Sequence, residues 1–285
     1  MYLYDSRLKK ILNNKRVSIT AHQGMATGSL VHNTFDAMQV AIKSGADFVE
    51  FDVTKSLDNT YYIMHEGEEM IRMGSSKMIK EMKDEEIAKF KLLNMNNVSV
   101  EPVNTLKQFM RNMEKYPNVL MHVDHIPIWR KDILIELDKY SHQIEQIMIK
   151  INANDEDLIN IVANHETKFM TIAIVKSKKD ISYILKFKDH INIVGFQIAF
   201  SHENEEVISD GTIKQLQKDG YFTHVNAMRF KNDVKNGGFD DDISIMENPD
   251  KGWGKLINIG FDVILSDWTP LLNKYLEDNS YKYKR

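Results

Sequence analysis

At 285 residues with a formal net charge of −4, the chain is long enough for one large domain and has no global positive field to draw nucleic acid or an anionic membrane. Hydrophobic residues make up 42% and charged residues 27%, an ordinary globular balance that supports a large core. The absence of cysteine excludes disulfides, thiolate zinc sites and cysteine nucleophiles, so any metal must be held by oxygen or imidazole.

The opening "MYLYDSRLKKILNNKRVSIT" has scattered charges and no unbroken apolar stretch. Nothing downstream approaches the roughly 20 apolar residues of a membrane span, so a cytoplasmic protein without stable membrane insertion is expected. The first predicted strand, "VSITAH", ends on His22, and a helix, "NTFDAMQVAIKSG", follows, capped by Asn33 or Thr34 and closed by Gly45. The second strand, "DFVEFDV", carries Glu50 and Asp52, and His65 follows "YYIM". Residues 66–102 read as an inserted subdomain with a helix of its own.

Beyond it, helical patterns ("TLKQFMRNMEKY", "DEDLINIVANH", "ISYILKFKDH", "TIKQLQKDG") alternate with strands "NVLMHVD", "QIMIKIN", "KFMTIAIV", "INIVGFQIAF", "YFTHVNAM" and "FDVILSD". These runs are near-continuously apolar, the mark of parallel strands buried on both faces. Eight such units, joined by right-handed crossovers, predict an α/β fold, a (β/α)8 TIM barrel forming a single domain over 1–285. An open doubly wound sheet is the structural alternative. The loop "KNDVKNGGFDDDISIMENPDKGWG" reads as a lid, its "DDD" as a solvated stretch in preference to a cation site, and the terminal "YKYKR" as a frayed end. His32, His142, His165 and His202 read as solvent-exposed.

In a barrel, chemistry gathers at the carboxyl ends of strands. There lie His22, Glu50, Asp52, His65, Asp124, Lys150 and Asn226. Glu50 and Asp52, two apart on one strand, share a face and repel each other, so they need a cation or protons. With Asp124 they make three hard oxygen donors suited to Mg2+ or Ca2+; the other reading pairs these acids with Lys150 or another cation in the mouth. Two histidines beside the acids suit the acid and base work of phosphodiester cleavage.

Taken together, "AHQG" followed by "NT", "GADFVEFDV", "MHE", "EPVNTL" and "GFDVILSDWTPLL" resemble the glycerophosphodiester phosphodiesterase family, over roughly residues 17–277. The resemblance implies that His22 and His65 are the general acid and base pair, and that Glu50, Asp52 and Asp124 hold the divalent cation. It also implies a small-molecule phosphodiester substrate, cleaved through a cyclic phosphate by attack of its own glycerol hydroxyl. The candidate substrate contacts are Gln23, Lys150, Gln197, Asn226 and Trp253.

Three positions depart from the family pattern. Gln23 stands where the family has arginine. Asp124 is followed by His125 and Ile126, where the family has a glutamate with lysine two residues on, and Thr223 or His224 replaces an aromatic near Asn226. Lys55, Arg72, Arg130, Lys150 and Arg229 are the cations available to compensate, Lys150 first. Two alternatives stay open: a diverged hydrolase or lyase of the same fold acting on a less charged substrate such as a glycoside, and a ligand-binding barrel without turnover. Oligomeric state is not legible.

Overall fold

The computed structural model describes residues 6–209, 211–229 and 236–283. Its strands, in chain order, are β1 (Ser18–Ala21), β2 (Phe48–Lys55), β3 (Tyr61–Ile63), β4 (Lys91–Leu93), β5 (Ser99–Pro102), β6 (Leu120–Asp124), β7 (Ile147–Asn152), β8 (Met170–Val175), β9 (Ile193–Ile198), β10 (Phe222–Asn226) and β11 (Val263–Ser266). Eight of them, β1, β2 and β6 to β11, pair in parallel, and β1 bonds to both β2 and β11, which closes the barrel. The expected barrel is the observed one, because each predicted run is a strand and each connection carries a helix.

Those helices include α1 (Ser6–Asn14), α2 (Phe35–Lys43), α3 (Glu69–Met73), α4 (Asp84–Ile87), α5 (Leu106–Met113), α6 (Ile126–Asp138), α7 (Glu156–Asn164), α8 (Lys178–Ile184), α9 (Thr212–Lys218), α10 (Asp241–Met246), α11 (Trp253–Ile259) and α12 (Thr269–Asp278). Thr34 caps α2, accepting from the Ala37 amide. Left-handed Gly260 ends α11. α6 is broken at Arg130, which has φ 47° and ψ −121°.

Alternation along β2 sorts its side chains. Val49, Phe51 and Val53 join the layer between barrel and helices, packing with Met38, Phe109 and Leu134 among others. Phe48 instead joins a cluster with Leu120, Met148, Ile172, Phe222 and Val263, side chains from strands all round the barrel that can gather only inside it. Leu8 of α1, fully buried, belongs to the same cluster and seals this apolar floor. By the same period of two, Glu50 and Asp52 rise from the floor toward the mouth.

Between His65 and Val103, α3, α4 and the β4/β5 hairpin surround a separate cluster of Met73, Ile79, Met82, Ile87 and Leu92, tied to the barrel through Tyr62 and Met64.

Several loop expectations are corrected. In the presumed lid, residues 231–235 lie outside the described residues, while Asp240 and Asp241 of the "DDD" are buried, since Asp240 caps α10 and Asp241 collects three donors. His142 and His202 are exposed as expected, but His32 and His165 are half-buried, His165 pairing with Asp138 at 3.1 Å. At the C-terminus Tyr283 bridges Lys15, and residues 284–285 lie outside the described ones.

Candidate active site

The mouth is assembled by the residues that end or immediately follow strands. After β1 the chain turns through left-handed Gln23 (φ 49°), which places His22 with Nε2 4.0 Å from Glu50 Oε2. His22 Nδ1 lies 2.7 Å from Oδ1 of Asp267, the residue after β11. A carboxylate only accepts, so Nδ1 carries a proton and Nε2 faces the acids. Burial alone would lower the pKa of His22, but the Asp267 hydrogen bond and the charges of Glu50, Asp267 and Asp52 raise it to about 9.

Glu50 and Asp52, both buried, sit beside Asp124, one oxygen from each lying within 4.8 Å of the others. Burial, then the charge of Asp52, pushes the Glu50 carboxyl up to about 8. The crowding is relieved by donors: the Gln23 amide N–H reaches Glu50 Oε2 at 3.0 Å, and the Gln23 side chain reaches Asp52 Oδ2 at 2.6 Å. Asn33, also left-handed (φ 58°), donates to the same Oδ2 at 2.9 Å and accepts from the Asp52 amide at 3.0 Å.

Lys150 reaches Asp124 Oδ2 at 2.5 Å. Burial opposes ionisation of Asp124, yet the Lys150 charge and hydrogen bond hold its carboxyl well below the usual range. Burial likewise pulls Lys150 down, and Asp124 with Glu50 more than restores it. Beneath this pair His122 and His224 stand edge to face, 5.9 Å apart. Burial and the Lys150 charge hold both neutral, His224 down at about 3.

His65 completes the rim. Its Nδ1 is 2.9 Å from the Glu66 carbonyl oxygen, which can only accept, so Nδ1 carries a proton and, in the neutral ring, Nε2 has the lone pair. The ring meets that of His125 edge to face at 4.6 Å. His125 Nε2 is 3.3 Å from Asp52 Oδ1.

The structure thus brings His22, Glu50, Asp52, His65 and Asp124 together. It places the five expected substrate contacts differently. Gln23 and Lys150 point into the carboxylates, and Lys150 is the acid's partner that the alternative reading described. Gln197 and Asn226, at the ends of β9 and β10, each carry a buried side-chain oxygen with no hydrogen-bond partner among the described residues. Trp253 is a correction: it is 1% exposed, its indole N–H donates to Asp241 Oδ1 at 2.7 Å, and it has no surface for a ligand. The other compensating cations also have carboxylate partners, Lys55 with Asp132, Arg72 with Glu68, Arg130 with Asp155 and Arg229 with Asp240 and Asp242.

Asp267, Asn33, His125 and Asp241 were not among the site residues expected from the sequence. Asp267 was detectable by the rule that selected Asp124, an acid at the end of a predicted barrel strand. Asn33 and His125 act through left-handed backbone, which their neighbours do not announce. Asp241 accepts from Trp253, from Ser266 Oγ at 2.8 Å and from the Asp267 amide at 2.9 Å, so it braces the aspartate that orients His22.

These features define a closed (β/α)8 barrel whose carboxyl-end mouth gathers four carboxylates, Glu50, Asp52, Asp124 and Asp267, and three imidazoles, His22, His65 and His125. Solved glycerophosphodiester phosphodiesterases share that fold. The enzyme of this name from Parabacteroides distasonis superposes with a TM-score of 0.72 at 16% identity, over 98% of this chain and 89% of that one. The one from Agrobacterium tumefaciens gives 0.67 at 15%, over 90% and 99%. An Oleispira antarctica phosphodiesterase, solved with its product sn-glycerol-3-phosphate, gives 0.65 at 14%, over 91% and 96%. A family model described as a domain of unknown function, DUF4996, matches residues 169–276. No curated protein matches in sequence.

Proposed function

We propose that this chain is a phosphoric diester hydrolase acting on glycerophosphodiester-type small molecules with a divalent cation. The observation that carries the reading is His22, braced by Asp267, beside three converging carboxylates and a second histidine with a directed lone pair, on a fold shared with enzymes of that activity. Glu50, Asp52 and Asp124 fit Mg2+ or Ca2+: they are hard oxygen donors, and two of them are buried side by side, a crowding of negative charge that a cation would offset. Bound there, the ion supplies positive charge to offset the phosphate and acidify a nearby hydroxyl.

The chain's own residues carry the protons. His65 Nε2 takes the proton from the substrate glycerol hydroxyl as its oxygen bonds to phosphorus. His22 Nε2–H gives its proton to the departing alkoxide, leaving a cyclic phosphate and an alcohol. In the second step the roles reverse: His22 takes a proton from water, and His65 returns one to the oxygen released on ring opening. Asp267 holds the tautomer and angle of His22 throughout, and Gln197 and Asn226 present unpaired acceptors for substrate hydroxyls.

Phosphorus NMR of the protein with a panel of glycerophosphodiesters, run with Mg2+, Ca2+ or chelator, tests this reading. Metal-dependent monoester or cyclic phosphate, absent with His22→Ala, is the expected result, and no conversion of any diester refutes it. One observation favours a second reading, a hydrolase or lyase for a less charged substrate such as a glycoside: Gln23 replaces the arginine, and each candidate compensating cation already faces a carboxylate. Under that reading Gln23→Arg brings no gain on diesters and glycosides are turned over.

A further inference from the structure

We propose that Asp52, His65 and His125 form a second divalent-metal site, one that prefers an imidazole-seeking ion of the Zn2+ class to Mg2+ or Ca2+. One ligand atom from each of the three lies within 4.8 Å of the others. Two imidazoles and one carboxylate are the donor set of borderline transition ions, and three protein ligands leave a position open. The carboxylate trio at the same mouth is all oxygen and selects hard ions. The two sets share Asp52 and differ in everything else.

Three details aim these residues. His65 donates Nδ1–H to the Glu66 carbonyl, the backbone brace that turns a ligating Nε2 toward a metal. His125 adopts a left-handed backbone (φ 64°, ψ 14°) that a side chain of its size visits at a cost, and its amide is tied to Asp124 Oδ1 at 2.7 Å. That turn swings the ring off the strand and over the mouth to within 3.3 Å of Asp52 Oδ1. The remaining His125 nitrogen, Nδ1, is buried and has no hydrogen-bond partner among the described residues.

The site constrains the proposed chemistry. A lone pair on His65 Nε2 that binds metal cannot also accept a proton, so occupation of this site withdraws the base that phosphodiester cleavage needs. The binding claim stands without that activity; only this consequence rests on it.

The test titrates the full chain calorimetrically with Zn2+ alone and with Mg2+ alone. His125→Asn is the informative variant, because asparagine tolerates the left-handed backbone. We expect Zn2+ to bind the unaltered protein more tightly than Mg2+. His125→Asn should weaken Zn2+ by more than the roughly 10- to 100-fold that loss of an outer partner costs, and leave Mg2+ unchanged. Glu50→Gln should do the reverse. X-ray absorption of the Zn2+-loaded unaltered protein should show scattering from two imidazole rings, a readout that survives misfolding of any variant. Equal Zn2+ affinity in His125→Asn, or an all-oxygen shell, overturns the site. Absence of turnover on every diester would refute the phosphodiesterase reading and leave these binding results as they are.

Discussion

Phe48 and Asp52 stand on the same strand and the same face, four residues apart, and they do opposite work. Around Phe48 the barrel floor is a closed apolar layer, with the Phe222 ring 6.2 Å away and Leu8 beneath. It is satisfied by packing alone. Around Asp52 the mouth collects buried charge, and Asp52 is satisfied through groups delivered by backbone in a costly conformation: Gln23, Asn33 and His125 all have positive φ there. One end of the barrel lowers the free energy of the fold, and the other draws on it to hold acids and imidazoles within reach of a ligand. The difference teaches that residue type along a strand matters less than height along the barrel axis.

Substitutions at the two ends should therefore separate in what they damage. The largest effect is expected from His22→Ala at the mouth: turnover falls about 10²- to 10⁴-fold, the usual worth of a general acid, as read by initial rates on the folded variant. Unchanged turnover in the folded variant would show that His22 is not the acid.

At the floor, Phe48→Ala should cost about 3–5 kcal/mol in urea unfolding through the cavity it leaves, with cation affinity of the folded fraction intact. Equal loss of cation affinity would mean that floor and mouth are not separable.

Cation binding sharpens the contrast from the other side. Mg2+ at about 100 times its dissociation constant should raise stability by about 2.7 kcal/mol. Glu50→Gln should abolish that gain, and Phe48→Ala should keep it, as read by thermal unfolding with and without metal.

The smallest effect is expected at Asp241, behind the mouth. Asp241→Asn takes an acceptor from the buried Asp267 amide and should cost about 1–3 kcal/mol. Burial pushes the Asp241 pKa up to about 7 from 3.8. A carboxyl raised in this way binds its proton more tightly folded than unfolded, so its contribution is full below the unfolded value and is lost as pH rises toward about 7. The stability difference between native protein and variant should accordingly shrink from pH 4 to pH 7. A constant difference would show that Asp241 is ionised throughout.

Much of this molecule was legible before its fold was. Eight apolar runs of strand length, the helices between them, the cap at Thr34 and the closing turn at Gly45 are set by near neighbours, and periodicity reports them directly. So is the shared face of Glu50 and Asp52, because side chains two apart on any strand point the same way. The composition of the mouth, carboxylates and histidines at strand ends, is likewise a property of the chain read along its length.

Which of those groups meet was decided only by closure of the barrel. Register between β6 and β7, together with the alternation of each strand, brings Lys150 against Asp124 and commits a cation that could have served the substrate. The pairing of β1 with β11 carries Asp267 to His22 across 245 residues. Trp253, plausible as a contact from its place beside a loop, was drawn into the interior by its bond to Asp241. The left-handed turns at Asn33 and His125 were selected by tertiary contacts that repay their local cost. Pairing energies of this kind depend on distance through space and on exclusion of water, and neither quantity exists until the strands have closed.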